Sequence, residues 1–220
     1  MKQMEQNNFL FIELPLRNSL HNNISKKGEV TFQVSRIYSL DSQKQDYFYD
    51  TETELYYSMI GYISNFEELN REFGLNTQSD LHLISRLWET GNNEIFSLLK
   101  GIFALVVYNT QTGKLIIYHD EFGFNQPLYY TTTKNTFYFS SNLKYLLSKS
   151  ASKRILNPES VRQFLLSGFL YFGNVVPGEE TLFNNIKKLL PSQMIYRKSH
   201  SSTPDVILKR TKNSKVSGWY

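Results

Sequence analysis

Two nearly continuous apolar runs, "IFALVVYN" at 102–109 and "KLIIYHD" at 114–120, flank the short polar stretch "TQTG". A strand with one wet face alternates apolar and polar side chains, whereas a strand without that alternation has to be buried on both faces. The pair therefore predicts a hairpin lying between layers, closed by a turn around Gly113. That requirement excludes a simple helical bundle and a sheet with one open face. At 220 residues the chain is long enough for one sizeable core or two small ones.

The remaining pattern supplies the layers. "NNFLFIEL", "EVTFQVSRIYSL" and "ELYYSMIGYI" are short runs rich in β-branched and aromatic residues, bounded by polar clusters, so the first third reads as mainly β. After Asn65 the period lengthens. "NFEELNREF" predicts a short helix ending at Gly74, and "SDLHLISRLWETG" places Leu81, Ile84, Leu87 and Trp88 on one helical face. Thr77 with Asp80 three residues later fits a capping box, and Gly91 fits a left-handed stop. "NEIFSLLKG" and "NLKYLLSK" predict further short helices, "TFYFSS" a strand, and "NPESVRQFLLSGFL" a helix opened by Pro158 and stopping near Gly168. "ETLFNNIKKLLPSQMIYRK" ends in a strand, and the residues after it are polar and weakly patterned. Helices set between strand pairs imply an α+β fold of stacked sheets covered by helices.

Composition removes several functions. There is no cysteine, so disulfides, thiolate metal sites and thiol catalysis are not available within these residues. No run approaches the roughly 18 apolar residues of a membrane span, and the first residues lack a cleavage site, so a cytoplasmic chain without membrane partners is expected. The net charge of +4 comes from the end of the chain: residues 1–180 hold 16 Lys and Arg against 19 Asp and Glu, and 181–220 hold 8 against 1. Those eight cations are scattered without interleaved stacking aromatics, which reads as a solvated tail and not as a nucleic-acid arm.

Six pieces in collinear order, "GYISNFEEL", "SDLHLISRLWETG", "LLKGIFALVVYN", "HDEFGFNQPLYY", "TFYFSSNLKYLL" and "ETLFNNIKKLLPSQ", resemble the class II glutamine amidotransferase domain that begins asparagine synthetases. The resemblance runs from about Leu55 to Arg197. It implies the four-layer α-β-β-α sandwich of the N-terminal-nucleophile hydrolases, with the amidotransferase-like domain over 1–198 and a basic polar tail, or the start of a missing linker, over 199–220. It also implies that the loop after "KLIIYHD" packs the domain and helps form its contact with a synthetase half.

The chemistry that the resemblance implies is altered in this sequence. Family members hydrolyse glutamine with a cysteine at the chain's N-terminus whose own α-amine acts as base. Here Met1 is followed by Lys2, too large for ordinary methionine removal, and the first hydroxyl residue is Ser19. The family's oxyanion-holding asparagine corresponds to Ile60, which has no side-chain donor, and loss of one such donor typically costs roughly 2.7–4 kcal/mol of transition-state stabilisation. Gly61 keeps a main-chain N–H at the equivalent place, although a turn or close packing is reason enough for a glycine. Asp80 matches the aspartate that recognises the α-amino group of glutamine, in competition with its capping role. His82 stands where the family has Glu, and Arg36 aligns too loosely with the arginine that pairs with the glutamine carboxylate to be counted. The family's Arg-Asp is His119-Asp120, one extra residue lies between Gly123 and Pro127, Asn142 replaces Glu, and Ser192 stands at a turn glycine.

Core pieces are thus kept while polar positions drift. The expectation is a non-catalytic domain with Gly61 and Asp80 as vestigial substrate-binding residues, no catalytic residue, no metal and no cofactor. No pyrophosphate-binding Gly-rich loop is present, so the expected partner is a separately encoded ATP-pyrophosphatase or amide-ligase subunit of asparagine, β-lactam or lasso-peptide type. The alternatives are a glutaminase subunit supplying ammonia, an amino-acid-binding sensor, and a remnant of a truncated asparagine synthetase.

Overall fold

The computed structural model describes residues 9–15, 33–35, 47–90, 95–123, 127–133, 136–150, 154–167, 178–198 and 204–208. In chain order the elements are β1 (Phe9–Pro15), β2 (Gln33–Ser35), β3 (Tyr47–Asp50), β4 (Leu55–Ile63), α1 (Phe66–Glu72), α2 (Asp80–Glu89), α3 (Ile95–Leu98), β5 (Gly101–Asn109) and β6 (Leu115–His119). They continue with β7 (Leu128–Thr133), β8 (Thr136–Ser140), α4 (Leu143–Lys149), α5 (Pro158–Ser167), β9 (Lys187–Leu189), β10 (Gln193–Arg197) and β11 (Asp205–Leu208). The architecture is α+β with two antiparallel sheets. Among the described residues no helix is long and apolar enough to cross a membrane. The chain divides into two compact units, Met1–Arg36 with Gln126–Leu190, and Ile37–Asn125 with Pro191–Tyr220.

The second unit is built on a six-stranded sheet in the order β11-β10-β6-β5-β4-β3. The expected hairpin is β5 with β6, paired from Ala104 opposite His119 to Tyr108 opposite Leu115. Every residue of β6 and Phe103 to Tyr108 of β5 are buried, as the missing alternation requires. One face carries the main core, where Tyr57, Met59, Phe103, Leu105, Ile116 and Tyr118 pack with Leu81, Leu83, Ile84, Leu87 and Trp88 of α2. Trp88 meets Phe96 and Tyr57 edge-on at 5.7 and 6.4 Å between ring centres, an arrangement that suits the ring quadrupoles.

The other unit holds a five-stranded sheet, β2-β1-β8-β7-β9, with a smaller core of Phe11, Tyr138, Leu146 and Ile186. Tyr145 of α4 packs edge-on to Phe11 at 4.8 Å. Asn142, read as a departure from the family's Glu, caps α4: its side chain accepts from the N–H of Tyr145 at 2.9 Å.

Two expectations change. The cap of α2 is Ser79, whose hydroxyl accepts from the His82 N–H at 3.3 Å, and not a Thr77–Asp80 box. Thr77 is buried and bonds Asn70 through both N–H and hydroxyl, which takes it out of helix capping. Within 199–220, expected to be a basic polar tail or the start of a missing linker, "DVIL" forms β11 and pairs with β10 from Tyr196 opposite Asp205 to Gln193 opposite Leu208, because the edge of β10 offers a ready ladder of backbone hydrogen bonds. The expected stops at Gly91 and Gly168 lie outside the described residues, as does Arg36.

Ser192 stands at a family glycine and has φ +60°. A non-glycine residue there costs about 1–2 kcal/mol, partly offset in a glycine variant by the greater freedom of the unfolded chain. Ser192→Gly is therefore expected to stabilise the fold by about 0.5–1 kcal/mol, read as a rise of a few degrees in thermal denaturation; no rise would show that the turn accepts serine without strain.

Candidate functional site

β4 ends in Gly61, Tyr62 and Ile63, still paired with the start of β5, and α2 begins against that end of the strand. The Asp80 carboxylate accepts the Ile63 N–H at 3.3 Å. The two sequence-derived residues are thus brought together: Asp80 is tied to the backbone two residues beyond Gly61. With Ser79 acting as the cap, Asp80 is not the far member of a Thr77 capping box, and its carboxylate lies half-buried at the first turn of a ten-residue helix, where the helix dipole favours negative charge.

Gly61 has φ +104°, and a Cβ added there would lie 1.9 Å from the Ile102 carbonyl oxygen. On the neighbouring strand Gly101, opposite Ile63, has φ +152° and a Cβ there would lie 2.3 Å from the Tyr62 oxygen. The two strands approach so closely at this end that both positions demand glycine. Packing accounts for Gly61. Ile60, opposite Ala104 on β5, carries a hydrocarbon side chain without a hydrogen-bond donor. The His82 ring lies 5.9 Å from that of Phe48.

Sequence reading missed Asn65. Buried at the entry to α1, it accepts the Lys100 N–H at 2.9 Å through Oδ1 and donates from Nδ2 to the Leu98 carbonyl at 2.9 Å, while the Ser64 N–H reaches the Lys100 carbonyl at 2.8 Å. These bonds hold the strand exit against the start of β5. Nothing in an isolated asparagine between a strand and a helix announces partners 33 and 35 residues away.

The loop that follows β6 is organised by Asp120, which is 1% exposed. Its Oδ1 accepts the N–H groups of Phe122 and Gly123 at 2.9 and 2.8 Å, and Oδ2 accepts the Phe103 N–H at 3.2 Å. Its own N–H donates to the Phe103 carbonyl, and its carbonyl accepts from the Ser192 N–H, each at 3.0 Å. The buried His119 places Nε2 4.0 Å from Oδ2. Gly123 has φ +63°, and a Cβ there would press on Pro191 and His119. The signal that could have pointed to this loop is the spacing in "DEFG", an aspartate three residues before a glycine, which suits an Asx turn. Phe122, 60% exposed, stands on this pinned loop.

Chemically, the Asp80 carboxylate can accept from an N–H or ammonium group. Burial, then the charges of Asp120 and Glu121, push the Tyr118 phenol up to about 12, so it stays protonated near neutrality and is no general base there. Among the described residues no group of three or more His, Asp or Glu is placed to hold a metal.

Comparisons with known proteins agree on the framework. A family described as a glutamine amidotransferase domain matches residues 14–206. Asparagine synthetase [glutamine-hydrolyzing] 1 of Bacillus subtilis is 30% identical over 168 residues, covering 74% of this chain and 25% of that protein. Asparagine synthetase [glutamine-hydrolyzing] 2 of the same organism is 28% identical over 146 residues, covering 64% and 19%. The chain thus spans a quarter or less of the length of these relatives. Among solved structures, the glutamine phosphoribosylpyrophosphate amidotransferase from B. subtilis complexed with ADP and GMP matches with a TM-score of 0.54 and 11% identity, over 94% of this chain and 44% of that one. The structure of the allosteric regulatory enzyme of purine biosynthesis matches with a TM-score of 0.55, at the same identity and coverage. This likeness shows the fold, the α+β type of the N-terminal-nucleophile hydrolases expected from the sequence.

Proposed function

The chain belongs to the class II glutamine amidotransferase domain family of the asparagine synthetases, and on that premise we propose that it is a non-catalytic member, a structural or docking module for an ATP-dependent amide-forming ligase. The observation that carries this reading is the absence of cysteine from all 220 residues, when the family reaction depends on a cysteine thiol. Ile60 supports it, because the position expected to help hold the oxyanion offers no side-chain donor. The care with which Asp120 fixes the loop carrying exposed Phe122 supports docking: a rigid aromatic on a preformed loop loses little entropy on association.

The test has two arms. The purified chain incubated with glutamine is expected to release no ammonia above a protein-free blank, and release proportional to protein would overturn the non-catalytic reading. A tagged chain drawn from its native cell extract is expected to bring down a protein of ATP-pyrophosphatase type; its absence would count against docking.

A second reading, an amino-acid-binding sensor, is favoured by one feature, the placement of the half-buried Asp80 carboxylate on the Ile63 N–H, two residues beyond Gly61. On that reading calorimetry with glutamine, asparagine and aspartate gives a binding isotherm for at least one of them, weakened about tenfold or more in Asp80→Ala because a charge-assisted hydrogen bond to the ammonium is lost. An unchanged isotherm in the variant would remove Asp80 from any such site.

A further inference from the structure

We draw no further inference here: the strongest candidate, the surface patch of exposed apolar side chains Ile155, Leu156, Leu165 and Leu166 at the two ends of α5, carries nothing because nothing in the structure shows what covers it.

Discussion

Gly61→Ala is expected to lower the thermal midpoint by roughly 10 °C, the steepest single loss that the structure points to outside the aromatic core. The added methyl would lie 1.9 Å from the Ile102 carbonyl oxygen, a backbone atom that cannot swing away, and the residue would have to hold φ +104°. Relief requires β4 and β5 to part at their most closely packed end. Conformational strain of about 1–2 kcal/mol adds to overpacking of about 1–3 kcal/mol and to weakened ladder bonds, for a total of about 3–5 kcal/mol. At about 2–4 °C per kcal/mol for a chain of this size, that gives the expected shift. Gly74→Ala is the control: its φ is +62°, but nothing lies within 4 Å of the added Cβ, so only strain of about 1 kcal/mol is expected. If Gly61→Ala melted like the control, close packing would not explain this glycine, and its main-chain N–H would regain a claim to function.

Legible in the sequence was whatever rests on local pattern or on burial along one element. The unalternated runs of β5 and β6 announced a sheet buried on both faces, and the spacing of Leu81, Ile84, Leu87 and Trp88 announced the inner face of α2. Capping was harder to place, because Thr77 and Ser79 are both good caps, and it is the bonds that Thr77 donates to Asn70, seven residues before it, that leave Ser79 to the helix. Asp80 illustrates the same limit in the site itself. Its hydrogen bond spans 17 residues to a strand end, and no periodicity connects the two. Ser192 could be noted as a departure from glycine, yet its left-handed backbone became a physical fact only once φ was known. β11 was missed because four residues in a polar segment gain their stability from the edge of β10 and not from their own propensity.

Asp120→Ala is expected to cost about 3 kcal/mol and to loosen the loop from Glu121 to Gly123 while the rest of the sheet persists. The largest share comes from the Phe103 N–H, which lies beside a residue 1% exposed and loses its 3.2 Å acceptor with little access to water. A buried donor left unsatisfied costs about 1–3 kcal/mol, and bonds to a charged acceptor count roughly double neutral ones. The bonds from Phe122 and Gly123 are part-buried, so water replaces them in part, but the shape they impose is lost. Asp120→Asn separates the two contributions. Oriented with its amide oxygen toward Phe122 and Gly123, the asparagine keeps the turn and sets its NH₂ against the Phe103 N–H, so an intermediate loss of about 1–2 kcal/mol is expected. Hydrogen exchange at the Phe122 and Gly123 amides reads the loop directly: exchange should accelerate strongly in Asp120→Ala and weakly in Asp120→Asn. Because the proposed docking surface depends on how this loop presents Phe122, binding to a ligase partner should fall in that same order. Loss of binding with unaltered exchange would place the partner's contact elsewhere, and fast exchange with full binding would show that the loop is dispensable to it.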